Sequence, residues 1–396
     1  MADIKSIDDM DAKGRRVLVR VDLNVPIKDG VVTDDTRIRA AIPTIEKLAG
    51  DGGRVILVSH LGRPSGEGFE EAFSIAPAAK RLSEILGQEV AVAKDVTGPS
   101  AHAVVEALAD GQVAILENVR FDAREKKDDP AFAAELASLA DAYVNDAFGT
   151  AHRAHASTAG VASLLPSYAG YLMQREVQTL TSMLDDPKRP FVAVLGGSKV
   201  SDKIKVIDAL MDKADALLIG GAMCFTFLLA QGHAVGASLV EPDWVERAHD
   251  MIAKAKRLGV RLLLPVDVVV AAGISEDAQT RAVSVEDIPS DMMGLDIGPE
   301  SARIYADAIK KAASVFWNGP MGVFEVGPFE AGTRMVAEAI AENADADTII
   351  GGGDSVAAVN KFDLADQMTF ISTGGGASME LVQGEALPGV EALRSR

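Results

Sequence analysis

The chain has 396 residues, room for about two or three domains. Hydrophobic residues make up 48% and aromatics only 5%, so large cores must be built mostly from Val, Ile, Leu and Ala, a bias that suits parallel sheets buried on both faces. With 39 Lys+Arg against 58 Asp+Glu the formal net charge is −19, which argues against nonspecific nucleic-acid binding yet leaves room for a few arginines to hold a local anion site. The single cysteine, Cys224, excludes an intrachain disulfide and sits in the apolar run Ala222–Ala230 as an expected inert core thiol. Residues 1–16 are charged and show no signal-peptide core, and no apolar run approaches the roughly 20 residues that a membrane span needs, so a cytoplasmic protein is expected.

In chain order, the predicted strands are short aliphatic runs at 16–21, 55–59, 113–116 and 142–145, then at 192–195, 216–219, 261–264, 315–317, 348–350 and 369–371. Helical periodicity separates most of them, at 76–86, 130–139, 203–213, 244–258, 299–313 and 328–342. Strands alternating with helices of about ten or more residues predict parallel α/β layers. Between the fourth and fifth strands, Met173, Val177, Leu180 and Leu184 recur at i, i+4, i+7 and i+11 on one helical face, and Asp185-Asp186-Pro187 stops the pattern. This helix, within 168–190, reads either as an ordinary surface helix or as a connection between two lobes. The second reading is preferred because the chemistry of the strand tips changes across it.

In an open parallel sheet, ligands bind beyond the carboxyl ends of the strands. In the first half those ends carry Asp22-Leu23-Asn24, His60-Leu61-Gly62-Arg63, Glu117-Asn118-Val119-Arg120 and the run from Asp146 to His155, which includes His152 and Arg153; Arg37 and Arg39 follow the first tip. Guanidinium forks match phosphate and carboxylate oxygens in a bidentate way, so arginines at several tips of one sheet edge predict a pocket for a small polyanion. Asp22 and Asn24 are placed to fix hydroxyls or orient the arginines. Any one of these arginines equally fits a solvated surface group, and His60 and His152 fit structural hydrogen bonding as well as ligand contact.

In the second half the tips read Gly196-Gly197-Ser198-Lys199, Gly220-Gly221-Ala222, Gly351-Gly352-Gly353-Asp354-Ser355 and Gly374-Gly375-Gly376-Ala377-Ser378, each followed by a helical pattern. Glycine admits a ligand close to the backbone, and a helix start offers free N–H groups at the positive end of its dipole, a combination that binds phosphates. Asp354 adds a carboxylate suited to a nucleotide's Mg²⁺. Lys199 and Lys203, spaced i, i+4 at a predicted helix start, are both expected to reach one phosphate group. Neither G-x-x-x-x-G-K-[ST] nor G-x-G-x-x-G occurs, which excludes a P-loop and argues against a dinucleotide fingerprint.

The stretches RVDLNVP (20–26), SHLGRP (59–64), ENVRF (117–121), VNDAFGTAHRAH (144–155), GGSKVSDKI (196–204), FWNGPMGVFE (316–325), GGGDS (351–355) and STGGGASMEL (372–381) resemble the phosphoglycerate kinase family in order and spacing, over essentially the full length. The resemblance implies an α/β fold of two Rossmann-like lobes, each a parallel sheet covered by helices, with an interlobe cleft. Residues 1–170 with 385–396 would bind 3-phosphoglycerate or 1,3-bisphosphoglycerate, 171–189 would connect, and 190–384 would bind Mg-ADP or Mg-ATP. The implied reaction is reversible transfer of the acyl phosphate of 1,3-bisphosphoglycerate to ADP. By the same resemblance Asp22, Leu23, Asn24, Arg37, His60, Leu61, Gly62, Arg63, Arg120 and Arg153 hold the acid substrate. Lys203, Gly220, Gly221, Glu325, Gly352, Gly353, Asp354 and Ser355 hold the nucleotide, with Asp354 also on Mg²⁺. Arg37, Lys199, Lys203 and the amides of Gly374, Gly375 and Gly376 would act on the transferred group. Ser372 and Thr373 match a hinge, and the tail near 387–393 would return to the first lobe. The expected partners are these small molecules, with neither nucleic acid nor membrane, in a cytoplasmic monomer. Leu23 stands where the family often has Phe, Cys224 falls in a variable part of the adenine-side helix, and loop 66–73 is less typical and carries no assignment. Two rivals stay open: an anion-binding protein without chemistry, which would not need the glycine-tipped half, and a dehydrogenase, which would need the missing fingerprint.

Overall fold

Aliphatic runs that are buried on both faces form parallel strands here, and the helices between them cover the two faces. The computed structural model describes residues 4–394, and the chain divides into two units, Met1–Thr179 with Ala386–Arg396, and Leu180–Glu385. The first unit contains β1 (Arg16–Arg20), β2 (Ile27–Lys28), β3 (Val31–Val32), α1 (Thr36–Gly50), β4 (Arg54–Val58), α2 (Ala76–Leu86), β5 (Val90–Val92), α3 (Pro99–Ala107), β6 (Val113–Ile115), α4 (Pro130–Ser138), β7 (Ala142–Asn145) and β8 (Ser167–Ala169). Its sheet is parallel throughout, in the order β5-β6-β4-β1-β7-β8, while β2 and β3 pair as a small hairpin. Val17, at the centre, lies opposite Val55 on one side and Ala142 on the other. The chain steps from β1 to β4 on one side and later places β7 on the other. The carboxyl ends of β1, β4, β6 and β7 therefore open along one edge, where a doubly wound sheet binds ligands.

Helix α5 (Tyr171–Asp185) leads from the first unit into the second. Met173, Val177, Leu180 and Leu184 are all buried, as their spacing requires. Its start is capped from the tip of β7: Asp146 Oδ1 accepts from Leu172 N at 2.9 Å and Met173 N at 3.2 Å. Gly170 makes room for this cap, because a Cβ there would lie 2.2 Å from Asp146 Oδ1. Asp146 Oδ2 is buried with no partner, and burial pushes the carboxyl up to about 7.

The second unit follows with β9 (Phe191–Leu195), α6 (Ile204–Met211), β10 (Ala216–Ile219), α7 (Met223–Ala230), α8 (Val245–Leu258), β11 (Arg261–Leu263), β12 (Asp267–Ala271), β13 (Arg281–Ser284), β14 (Met293–Ile297), α9 (Pro299–Ile309), β15 (Ser314–Asn318), α10 (Ala331–Glu342), β16 (Asp347–Gly351), α11 (Gly353–Lys361), β17 (Phe370–Ile371) and α12 (Gly376–Val382). Its parallel sheet has the order β11-β10-β9-β15-β16-β17, and β13-β12-β14 form a separate antiparallel sheet. Short α13 (Pro388–Glu391) returns to the first unit, where Gly389 N donates to the Ala151 carbonyl at 2.8 Å. The α/β class with two helix-covered parallel sheets is as the sequence implied. The antiparallel sheet was not anticipated.

Candidate active site

In the first unit the tips are stitched to one another before any ligand is considered. Asp22 is buried, and its carboxylate accepts from Arg37 Nη1 at 3.1 Å. The same Nη1 donates to the Asn24 carbonyl at 3.2 Å. Asn24 N donates to Asp22 Oδ1 at 3.1 Å, and Asn24 Oδ1 accepts from Gly62 N at 2.8 Å, which joins the β1 tip to the β4 tip. Arg120 Nη1 then donates to the Gly62 carbonyl at 2.7 Å, which joins the β6 tip. Gly62 must be glycine: its φ is +60°, and a Cβ would meet the Phe73 ring at 2.4 Å. Leu23 and Leu61 are buried, with their N–H groups on Ser59 Oγ and Asn118 Oδ1, so their side chains pack rather than face open space.

The charges converge around His60, which is buried. Arg20 Nη2 lies 3.2 Å from its Nδ1, and burial, then Arg20, Arg120, Arg37 and Arg153, hold the ring well below its ordinary value. Arg120 is buried with Nε unpartnered, and burial, then Arg153 and Arg20, push its guanidinium down to about 10. Cations held together at this cost form a site short of an anion. Arg153 is exposed, with Nε on His152 Nε2 at 3.1 Å. Arg63 is exposed and its side chain has no hydrogen-bond or ion-pair partner among the described residues. Sequence reasoning gave no role to Arg20, Glu125 or Ser157, all buried beneath this edge. Arg20 lies inside a strand, where no tip signal marks it.

In the second unit the glycine tips interlock. Gly196 N donates to the Asn318 carbonyl at 2.9 Å, Gly221 N to the Met321 carbonyl at 2.8 Å, and Met223 N to the Gly197 carbonyl at 3.1 Å. A Cβ on Gly221, at φ +66°, would sit 2.4 Å from the Gly197 carbonyl oxygen, and one on Gly220 would sit 2.4 Å from Met321 Sδ. Lys203 Nζ donates to Asn318 Oδ1, while Asn318 Nδ2 donates to the Gly351 carbonyl at 2.7 Å. Burial lowers the Lys203 ammonium, against the pull of Asp354 and Asp202.

The expected placement of Lys199 and Lys203 one turn apart on a helix start is corrected. Glu241 accepts from Ser201 N at 3.0 Å and Ser201 Oγ at 2.6 Å, which holds the segment as a turn, and α6 begins only at Ile204. Lys199 is exposed in that turn. Asp354 is exposed in the first turn of α11. Ser355 is buried, and its Oγ accepts from Gly319 N at 2.5 Å, so the hydroxyl supports the β15 tip. Gly352 has φ +86° and packs on Asn318, whereas a Cβ on Gly353 would meet nothing within 4 Å. Gly374 N donates to Ser372 Oγ at 3.2 Å, and Gly375 has φ +53° where α12 begins. Glu325 is exposed beyond the β15 tip.

The β9, β10 and β15 tips, with Asp354, line a pocket of about 520 Å³. Gly197, Gly221, Glu325 and Asp354 rim it, and Phe225, Leu239, Ile274, Gly294 and Leu295 form an apolar wall. The wall was missed because part of it comes from the antiparallel sheet, and aliphatic residues carry no chemical signature. Gly294 is fixed by packing: a Cβ there would lie 2.0 Å from the Phe225 ring. Cys224 and Asp296 also line the pocket and are themselves buried; burial raises the thiol, as the inert-core reading requires, and pushes Asp296 up to about 8. Apolar walls for a flat base, with glycine backbone and exposed carboxylates at Glu325 and Asp354 along the lining, suit a nucleotide. Among the described residues no three His, Cys, Asp or Glu side chains cluster for a metal. The single carboxylate of Asp354 fits Mg²⁺ of the kind that arrives on phosphates and keeps most of its other ligands.

A cationic strand-tip edge in one unit and a glycine-lined, partly apolar pocket in the other have the chemistry that a nucleotide-dependent phosphotransferase needs. The phosphoglycerate kinase family model matches residues 7–385, and the chain belongs to that family. It is 57% identical over 395 residues to the phosphoglycerate kinase of Synechococcus sp. (strain JA-2-3B'a(2-13)), with 97% of this chain and 96% of that protein covered. The solved phosphoglycerate kinase of Coxiella burnetii superposes with a TM-score of 0.92 at 43% identity, and that of Pyrococcus horikoshii OT3 with 0.84 at 33%; 98% of both chains is covered in each case. Among the described residues no helix is long and apolar enough to cross a membrane.

Proposed function

We propose that this kinase moves the acyl phosphate of 1,3-bisphosphoglycerate to ADP, reversibly, giving ATP and 3-phosphoglycerate. The observation that carries the acid-substrate half is the arginine cluster itself: Arg120 is buried at the β6 tip with Nε unpartnered, and burial, then Arg153 and Arg20, push its guanidinium down to about 10, a cost that a small polyanion relieves. Asp22, Asn24, Arg37, His60, Gly62, Arg63, Arg120 and Arg153 form that half-site, with Leu23 and Leu61 packing behind it. Residues 1–170 with 385–396 carry it, and 190–384 carry the nucleotide. The apolar pocket takes the base, Glu325 the ribose hydroxyls, and the Gly352–Ser355 backbone with Lys203 the phosphates. Gly220 and Gly221 keep the base side narrow.

Phosphoryl transfer spreads charge over three equatorial oxygens, so positioning and electrostatic stabilisation carry the rate. No strong general base is required, because the nucleophile is already an anionic oxygen. Arg37, Lys203 and the amides of Gly374, Gly375 and Gly376 stabilise the group in flight, and Lys199 accompanies it. Asp354, together with the nucleotide, would hold Mg²⁺, which would supply neutralisation of phosphate charge there. The two half-sites must come together, with Ser372 and Thr373 as hinge, and that closure excludes the water that would hydrolyse an acyl phosphate. We place the enzyme in the cytoplasm as a monomer, a state that light scattering tests. The deciding assay is ATP- and Mg²⁺-dependent consumption of 3-phosphoglycerate. Absence of turnover while both ligands still bind would replace this reading with that of an anion-binding protein.

A further inference from the structure

Beneath the cationic edge a line of buried polar groups runs back from His60 to Arg20, Ser157 and Glu125, the last three without an assigned substrate contact. Arg20, His60, Glu125 and Ser157 are each at most 4% exposed. Each nitrogen of the Arg20 guanidinium is engaged inside the protein: Nε on Ser157 Oγ at 2.9 Å, Nη1 on the Val21 carbonyl, and Nη2 against His60 Nδ1 at 3.2 Å. Ser157 lies in a turn of π-helix, Ala156–Gly160, and Tyr143 Oη fixes that turn by donating to the Ser157 carbonyl at 2.9 Å. Glu125 closes the line by accepting from Ser157 Oγ at 2.6 Å and Ser157 N at 2.9 Å, one on each oxygen. Burial raises the Glu125 carboxyl, while Arg20 and the two Ser157 hydrogen bonds oppose that rise.

The direction of each bond follows from elementary chemistry. A guanidinium carries only donors, so His60 Nδ1 must be the acceptor. A neutral imidazole that accepts at Nδ1 carries its proton on Nε2. Ser157 Oγ accepts from Arg20, which leaves its own proton for Glu125. His60 Nε2 has no partner among the described residues and is not sealed from solvent. Among the six histidines of the chain, His60 alone is thereby given one fixed tautomer by a buried arginine. We propose that Glu125, acting through Ser157 and Arg20, is a positioning residue that holds His60 as a neutral ring with its proton on Nε2, so that it presents one hydrogen-bond donor to the acid substrate. The proposal rests on His60 facing that substrate. A neutral donor gives direction where Arg37, Arg120 and Arg153 already supply charge.

The tautomer is read by ¹⁵N NMR of histidine-labelled, ligand-free enzyme, with the His60 signals assigned by their loss in His60→Gln. The expected native pattern at neutral pH is an unprotonated Nδ1 and a protonated Nε2. In Glu125→Gln and in Ser157→Ala the single tautomer is lost, and KM for 3-phosphoglycerate rises about tenfold, the worth of one hydrogen bond, while KM for the nucleotide stays the same. Native His60 protonated on Nδ1, or on both nitrogens, overturns the proposal. So does a folded variant of either kind that keeps both the tautomer and KM. If Glu125→Gln fails to fold, Ser157→Ala breaks the same line. The native pattern with an unchanged KM in His60→Gln would support the buried relay and remove His60 from the substrate site.

Discussion

Arg37 shows how one side chain is divided between structure and chemistry. Nη1 is spent on Asp22 and the Asn24 carbonyl, while Nε and Nη2 have no partner among the described residues. The guanidinium is thus aimed by one nitrogen and offered by the rest. Arg37→Ala is expected to lower kcat by about 100-fold, the range for removing one preorganised charge-stabilising donor, with little change in nucleotide affinity. An unchanged kcat would remove Arg37 from the transferred group. Arg120→Lys keeps a charge but gives up the fork and the Gly62 contact. It is expected to raise KM for 3-phosphoglycerate about tenfold in steady-state kinetics and to leave KM for ATP alone. That such residues gather at one sheet edge was legible in the sequence because they follow strand ends. Arg20, Glu125 and Ser157 were not, because a role set by burial and by partners more than 30 positions away leaves no local pattern. Ser355 was legible as a tip residue, but its hydroxyl turned out to hold Gly319.

Helix α11 couples the two ends of the proposed nucleotide half-site. It opens at Gly353 with Asp354 in its first turn and ends at Lys361, about 13 Å further on at helical rise. There Lys361 Nζ donates to the Phe324 carbonyl at 2.7 Å and pairs with Glu330 at 2.8 Å. Phe324 immediately precedes Glu325, so the loop assigned to the ribose is tied to the helix assigned to the phosphates. Lys361→Met is expected to raise KM for ATP severalfold with kcat largely kept, and Lys361→Arg to restore much of the loss. Equal KM values across the three proteins would show that the loop holds its place without α11. Glu325→Ala should weaken nucleotide binding directly, and a Kd unmoved in calorimetry would count against the ribose assignment. At this scale most parallel strands were legible as aliphatic runs ended by glycine or charge, whereas β5 and β8, three residues each at the sheet edges, were too short to show. The β13-β12-β14 sheet was not: β13 is mostly exposed, and the β12-β14 register shifts between Val269 and Val270, so no alternation marks it.

For the whole molecule, buried titratable groups set a pH dependence whose sign differs from acid to base. Burial pushes Asp146 up to about 7 and Asp296 up to about 8. Between the unfolded value, about 4, and those folded values, the native state holds a proton that the unfolded chain has lost, so stability falls as pH rises. Burial, followed by the neighbouring arginines, lowers His155 to about 4 and holds His60 well below its ordinary value. From those folded values up to the unfolded value, about 6.5, it is the unfolded chain that holds the extra proton, so stability rises with pH. Below about pH 6.5 the two carboxyls and the two histidines work against each other; above it only the carboxyls still act. The melting temperature is therefore expected to be nearly level just below pH 6.5 and to fall from there toward pH 8, at constant ionic strength. Asp146→Asn should flatten the decline up to about 7, and Asp296→Asn the decline up to about 8. Because Gly332 N and Ile297 N both donate to Asp296, its Asn variant should also melt lower overall, so the slope and not the height carries the test. A melting temperature that climbs steadily from pH 6.5 to 8 would mean that the two carboxyls are ionised in the folded protein already at the lower pH, with their burial offset by solvation around Asp146 Oδ2 and along the pocket wall at Asp296.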